Sequence, residues 1–239
     1  TTNVYGRIAN GFRGPSIQGR DLAFRGPPST ATSETITSFE AGFKSTLNDG
    51  RVRLNGAVFY YQVDDQQITA VGGATNAIQL VNADKANAIG FDLDFEALLT
   101  DNLLLQLAVG YNDTEIDDPG LRDDLCGSAP SCTGLDEVAG MRDGPFGPVT
   151  EVFIDGNPLP RTPKWIANFI LQYTYPIQSG ELYFNTDWNY RDDSNLFLHR
   201  SIEFIQEERV LGGLRAGYRM NNGVDLAVVG RNITDEVAV

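Results

Sequence analysis

Between Ala88 and Ala97 the chain alternates with a period of two. Ile89, Phe91, Leu93, Phe95 and Ala97 take one parity, and Gly90, Asp92, Asp94 and Glu96 take the other. Successive side chains of a strand point to opposite faces of its sheet, so this stretch reads as a strand with an apolar face and an acidic face. Three carboxylates on one face cannot sit in a dry core without partners. They need water or a counter-charged interior, and that need narrows the folds open to this chain.

The same two-faced pattern recurs along the sequence. Residues 3–12 read as a first strand, with Val4, Gly6 and Ile8 opposed to Tyr5 and Arg7. Phe39, Ala41, Phe43 and Leu47 oppose Glu40, Gly42, Lys44 and Thr46, and the return strand sets Val52, Leu54, Val58 and Tyr60 against Arg53 and Asn55. Leu103, Leu105, Leu107, Val109 and Tyr111 oppose Gln106, Gly110 and Asn112. Trp165, Ala167, Phe169, Leu171, Tyr173 and Tyr175 alternate with Asn168, Gln172 and Thr174. Leu182, Phe184, Trp188 and Tyr190 alternate with Asn185, Asp187, Asn189 and Arg191. Val210, Leu214, Ala216, Tyr218 and Met220 oppose Arg209, Arg215 and Arg219, and Val224, Leu226 and Val228 oppose Asp225 and Arg231.

Between these strands, tight turns and long loops take turns. Asn48-Asp49-Gly50, Thr100-Asp101-Asn102, Gln178-Ser179-Gly180 and Asn221-Asn222-Gly223 are compact, with residues that tolerate the positive φ of hairpin turns. The loops at about 13–33, 64–85, 113–161 and 192–206 are long and polar, the second with a short strand at Ala77–Val81. All the tight turns therefore fall at one end and all the long loops at the other. About nine long strands joined this way are the pattern of a transmembrane β-barrel wall, with short periplasmic turns and long extracellular loops. A soluble sandwich usually has shorter strands and no such division of its loops.

Energetics fix which face meets lipid. An Arg or Lys on the lipid side near the bilayer midplane costs about 2–4 kcal/mol. Lys44, Arg53, Arg209, Arg215, Arg219 and Arg231, with Asp92, Asp94 and Glu96, all lie opposite the Phe/Leu/Val parity, so they are expected to face the lumen. There the arginines would offset the carboxylates in salt-bridged wall packing or touch whatever fills the lumen. Tyr60, Tyr111, Trp165, Trp188 and Tyr190 near loop-side ends, and Tyr173 and Tyr175 near a turn, are expected to form aromatic girdles at the two interfaces. Ordinary strand aromatics are the alternative.

Composition bounds function. The chain has 239 residues and a net charge of -14, which excludes non-specific nucleic-acid binding. Cys126 and Cys132 share one Gly/Pro/Ser-rich loop and are expected to form a disulfide, with two free thiols as the alternative. His199, the one histidine, reads as solvated, and no zinc site is expected. Asp113, Glu115, Asp117, Asp118, Asp123 and Asp124 offer oxygen ligands for Ca²⁺, but their spacing is not that of an EF-hand, and they read as a solvated acidic loop. No G-x-S-x-G, H-E-x-x-H or phosphate-loop motif is present, so neither catalysis nor a cofactor is expected. No apolar run is long enough for a transmembrane helix. The sequence lacks an initiator Met, starts within a strand pattern and stops at Asn232–Glu236 without a closing element, so it reads as a piece of a longer polypeptide.

Four segments, in order, resemble the C-terminal part of TonB-dependent outer-membrane receptors. They are Tyr5–Ser16, Ser38–Lys44 continued by the Asp-Gly turn and Ala57–Tyr60, Leu159–Trp165 and Arg231–Glu236. The resemblance implies that residues 1–239 are the C-terminal portion of a barrel of roughly 22 strands, with a lumen plug and last strand outside these residues. It implies a location in the outer membrane of a Gram-negative bacterium, in contact with its lipid. It implies uptake of a scarce solute, a ferric siderophore first among candidates, with energy from the TonB complex reached through the absent N-terminal region. An extracellular small molecule or metal chelate would be the ligand, collected by the loops. A passive porin-type channel and a secreted β-sandwich binding module are the alternatives.

Overall fold

The computed structural model describes residues 1–19, 28–72, 77–126, 132–144 and 147–237. Parts of the expected loops, at 20–27, 73–76, 127–131 and 145–146, lie outside the described residues. The strands are β1 (Thr2–Arg13), β2 (Ser16–Gln18), β3 (Ser29–Ala31), β4 (Glu34–Leu47), β5 (Val52–Gly72), β6 (Ala77–Thr100), β7 (Leu103–Asp117) and β8 (Arg122–Asp124). They continue with β9 (Val138–Gly144), β10 (Gly147–Phe153), β11 (Trp165–Ile177), β12 (Gly180–Arg191), β13 (Ser194–Asn195), β14 (Ile205–Gln206), β15 (Arg209–Met220) and β16 (Asp225–Arg231).

Nine strands make one antiparallel meander in the order β1-β4-β5-β6-β7-β11-β12-β15-β16. The sheet is a barrel wall that does not close on itself, with β1 and β16 as its edges. Among the described residues no second sheet of comparable size lies against it, which leaves the sandwich alternative without support. The β4–β5 turn shows why its sequence is needed: Asn48, Asp49 and Gly50 have φ of 49, 51 and 90°. At Gly180 a Cβ would lie 2.1 Å from the Arg219 carbonyl oxygen, so only glycine fits there.

The turn-side rim is staggered. The paired row Leu47, Val52, Ala97, Leu105, Leu171, Thr186, Leu214 crosses the sheet from β4 to β15. The first turn begins immediately beyond Leu47, whereas β15 runs six residues past Leu214, to Met220, before its own turn. Six strand spacings separate these two turns. At ~4.8 Å per spacing and ~3.3 Å per residue, that stagger corresponds to strands tilted about 35°, within the range of membrane barrels.

Two regions depart from the sequence reading. Residues 64–85 are not a polar loop with one short strand: β5 and β6 run straight through as a paired arm from Gln66↔Ala83 to Gly72↔Ala77. Pairing continues because both flanks carry β-branched and small residues, and among the described residues of the arm only Asp65 has a positive φ, 55°. Likewise residues 113–161 are not an open loop. β7 extends to Asp117, and β8, β10 and β9 form a separate three-stranded sheet at the loop end.

The apolar core lies in that cap rather than in the wall. Ile68, Ala70 and Ala83 of the arm pack with Ile116, Val152, Ile154 and Leu198, all buried. This cluster joins four segments far apart in sequence and packs them as one body at the loop end.

Candidate functional site

The register sorts the wall into two faces, because paired residues point the same way. One face carries the row Asn3, Lys44, Asn55, Asp94, Ala108, Asn168, Asn189. On that side also lie Arg53 with Glu96, Asp92, Arg209, Arg215, Arg219 and Arg231. The other face carries the row Val4, Phe43, Gly56, Leu93, Val109, Ala167, Tyr190, Val210. Its apolar side chains stand free: Val58 is 59% exposed, Ile89 58% and Val228 79%. A soluble protein rarely leaves so broad an apolar surface uncovered.

On the apolar face Phe91, Tyr111 and Trp165 form one aromatic cluster, with Tyr111 and Trp165 ring centroids 4.8 Å apart. The polar tips of the other aromatics are satisfied locally. Trp188 Nε1 donates to Thr186 Oγ1 at 2.7 Å, Tyr60 donates to Asn87 Oδ1 at 3.0 Å and Tyr190 to Glu208 at 3.1 Å. Tyr173 and Tyr175 are exposed at the opposite, turn-side end, on β11.

On the polar face the charges pair in three patches, one of them on β1 and β4, where Arg7 lies 3.9 Å from Glu40 and Arg13 3.5 Å from Glu34. Arg53 lies 3.4 Å from Glu96, which also accepts from Gln106 Nε2 at 2.9 Å. Near the last turn, Arg219 reaches Glu181 at 2.6 Å and Asp225 at 3.6 Å, and Arg215 reaches Asp225 at 3.7 Å. Both guanidiniums also lie over the Tyr183 ring, at 5.3 and 5.4 Å. Lys44 sits 6.0 Å from the Tyr5 ring centroid. The arginines therefore do not offset Asp92 and Asp94, which form no ion pair among the described residues. Three strands intervene, four spacings and ~19 Å at ~4.8 Å each, between those carboxylates on β6 and Arg209, Arg215 and Arg219 on β15.

The cap overturns two further expectations. His199 is not solvated: it is fully buried, its Nδ1 2.6 Å from Asp123 Oδ2, stacked on Phe197 at 5.8 Å and edge-on to Phe204 at 5.9 Å. Nor is the acidic run a solvated loop throughout. Asp123 and Asp118 are buried, Asp118 accepting from the Asp84 and Gly120 amides at 3.0 Å each. Asp124 ties to Arg142, which also approaches Glu151 at 3.4 Å. Charges can be buried here because each meets a donor in the low-dielectric cap. No signal in the acidic spacing marks this, but the apolar residues Leu196, Phe197 and Leu198 beside His199 do, since a solvated loop has no use for them.

Cys126 and Cys132 are joined as a disulfide, Cα atoms 5.4 Å apart. Close by, Glu203 accepts from the Thr133 amide at 2.9 Å and from Ser201 Oγ. These bonds, the Ser201 hydroxyl's first, hold its carboxyl pKa down to about 2. Lys164 bonds Asp113 at 2.7 Å, and that bond is the main cause raising its ammonium pKa. Asp136 accepts from Asn157 Nδ2 at 2.9 Å and from Arg200 Nε at 2.7 Å, stitching three loop segments together.

Between β7, the 156–164 return and the 192–205 loop lies a cleft of about 510 Å³. Two shallower depressions of about 310 and 390 Å³ lie on the polar wall around Asp92, Asp94 and Asn168. Among the described residues no three His, Cys, Asp or Glu side chains converge to hold one metal ion.

The family model described as TonB dependent receptor-like, beta-barrel, matches residues 1–233. No curated protein matches the sequence. Among solved structures, the ferric yersiniabactin uptake receptor FyuA from Yersinia pestis superposes with a TM-score of 0.68 at 15% identity, over 98% of this chain and 30% of its own. The siderophore receptor PiuA from Acinetobacter baumannii gives 0.68 at 18% identity, over 98% and 30%. The copper transporter OprC gives 0.62 at 16%, over 98% and 32%. At these identities the likeness is one of fold, and the chain spans about 30% of the length of FyuA and PiuA.

Proposed function

Because this chain belongs to the TonB-dependent receptor family, as part of its β-barrel, we propose that it forms the C-terminal wall and outer loops of a transporter that imports a scarce solute with energy from TonB. It resides in the outer membrane of a Gram-negative bacterium. The observation that carries the reading is the two-faced tilted sheet: an apolar face left free for lipid, a charged face for the lumen, and every long loop gathered at one end.

The remaining strands and a lumen plug would be supplied by other parts of the polypeptide. Lys44, Arg53, Asp92, Asp94, Glu96, Arg209, Arg215, Arg219 and Arg231 would line the lumen. Tyr60, Tyr111, Trp165, Trp188 and Tyr190 would mark the outer lipid interface, and Tyr173 and Tyr175 the inner one.

A ferric siderophore is the first candidate solute, supported by the names of FyuA and PiuA, while OprC shows that the same fold also serves copper. Uptake of radiolabelled iron by iron-starved cells carrying the full-length gene tests the proposal. Accumulation of a ferric chelate that stops when TonB is deleted supports it. Flux indifferent to TonB would overturn it in favour of a passive channel, and no flux of any ferric chelate would overturn the siderophore assignment.

A further inference from the structure

On the lumen face Arg191 ends β12 and Arg209 begins β15, and the register sets them directly opposite each other. Like charges so placed, with Cβ atoms ~5 Å apart, destabilise a strand pair. Among the described residues no carboxylate forms an ion pair with either arginine. The acids next to them in sequence, Asp192 and Glu208, meet the Tyr190 hydroxyl at 3.2 and 3.1 Å, and Tyr190 belongs to the apolar face. Asp193 and Glu207, one residue further along, pair with neither. A chain of net charge -14 thus keeps two cations opposed on one face and unanswered.

The two side chains are also held against the wall. The Nε of each is shut in without a partner, so the inner edge of both guanidiniums is packed down. Arg191 Nη2 is steered by the Arg161 carbonyl at 3.4 Å, and Arg161 has a φ of 61°. Of the Arg209 guanidinium only Nε is closed off, and its two terminal nitrogens stay open with no hydrogen bond to any described residue. Next to the pair on the same face, Asn189 donates to Asn168 at 2.8 Å, so the adjoining surface is polar and uncharged. Donors fixed in this way, at a cost in repulsion and with no acceptor of the wall, await an acceptor from elsewhere.

Unpaired charge is also divided across the lumen face. Asp92 and Asp94 stand on β6, and the arginine pair stands three to four strand spacings away, ~14–19 Å, on β12 and β15. An anion entering from the loop end is therefore drawn to the arginine side. We propose that Arg191 and Arg209 form the wall's contact for an anionic group of the imported solute, a carboxylate or phosphate-like oxyanion held by parallel N–H donors of the two guanidiniums. The pair would then favour an anionic chelate over a neutral chelate or a bare metal cation. The proposal rests on the transporter reading only in taking the occupant to be the solute.

Two measurements on the full-length receptor test it. Calorimetric titration in detergent with inorganic pyrophosphate, a metal-free oxyanion, should show saturable binding. Arg209→Gln should weaken it about tenfold or more, the loss of a charge-assisted hydrogen bond. Arg209→Lys keeps the charge without the fork and should fall between, while Asp49→Asn at the far turn should leave binding unchanged. Denaturant titration without ligand separates a solute from a fixed acidic residue elsewhere in the polypeptide. With no resting partner, Arg209→Gln relieves repulsion and should leave the folding equilibrium unchanged or raise it, by up to about fivefold. A tenfold drop would mean that a fixed carboxylate already answers the pair, and it overturns the proposal. So does absence of saturable pyrophosphate binding, or an equal loss with Asp49→Asn. TonB-dependent uptake without pyrophosphate binding would sink this site alone, whereas uptake indifferent to TonB with that binding intact would refute the transporter reading and leave the site standing.

Discussion

Leu171 and Gln172 are neighbours on β11, and the two faces of the wall part between them. Leu171 lies midway between Trp165 and Ile177, in the apolar row with Leu105 and Thr186. Gln172 lies in the polar row with Leu104 and Asn185. Trp165 and Tyr175, aromatics of the apolar face, stand ten residues apart on β11, which at a tilt of about 35° is ~27 Å of depth and close to the ~25 Å apolar band of an outer-membrane barrel, so Leu171, one residue from their midpoint, falls near the bilayer midplane. An arginine there costs about 2–4 kcal/mol, and the lost leucine adds about 0.5 kcal/mol. Leu171→Arg should therefore lower the folding equilibrium by roughly 60- to 1,600-fold at ~1.4 kcal/mol per decade. Gln172→Arg enters a wet, charged lumen whose nearest cation in its row, Arg215, stands two strands away, ~10 Å and a Debye length off. It should change stability by less than about 0.5 kcal/mol. Denaturant titration of full-length protein refolded into bilayers, read by heat-modifiable gel mobility, measures both. Equal costs, or a larger cost at Gln172, would refute the assignment of faces, because a register slip of one residue exchanges them.

Three more outcomes follow from the cap. Replacing His199 by Ala removes one partner of a buried pair and leaves Asp123 facing apolar rings, at a local cost of about 3–5 kcal/mol; faster hydrogen exchange across 192–206 with the wall unchanged would show it. Opening the Cys126–Cys132 bridge with Ser at both positions should cost about 2 kcal/mol, the closure entropy of so short a loop, and mass spectrometry without reduction should find neither thiol free. Glu203, whose carboxyl is held at about 2, lends its stabilisation fully above the ordinary carboxylate range and loses it only as pH falls through about 2; protection of the Thr133 amide should survive at pH ~4, and its loss between pH 7 and 4 would contradict that assignment.

The wall was legible because its information is local. Period-two alternation in Ile89–Ala97 or Trp165–Tyr175 assigns each side chain to a face before any pairing is known, and the Asp-Gly and Asn-Gly turns set which strands pair. Lipid sharpens the signal further, since a slipped register would strand Arg53 or Arg215 in hydrocarbon. The observed sheet order, an unbroken meander, follows directly from those turns.

The cap was not legible because its bonds are not local. His199 and Asp123 are 76 residues apart, and Thr133 and Glu203 are 70 apart. No spacing rule links such pairs, and each residue alone is polar enough to pass for solvated. What the sequence does hold there is misplaced apolarity: Ile68 and Ala70, Val152 and Ile154, Leu198, all in stretches otherwise rich in Asp, Gly and Asn. Each segment offers too little apolar surface to fold by itself, so the residues make sense only as parts of one shared core. That core accounts for the buried charges as well. Once Ile116, Val152, Ile154 and Leu198 bring β7, β10 and the last loop together, Asp118, Asp123 and Asp136 lose their water and keep their place only through the amides, histidine and arginine that meet them. The same closure buries Ser194 and Asn195 beside His199, so these described segments of the loop end form one packed body and not a set of independent loops.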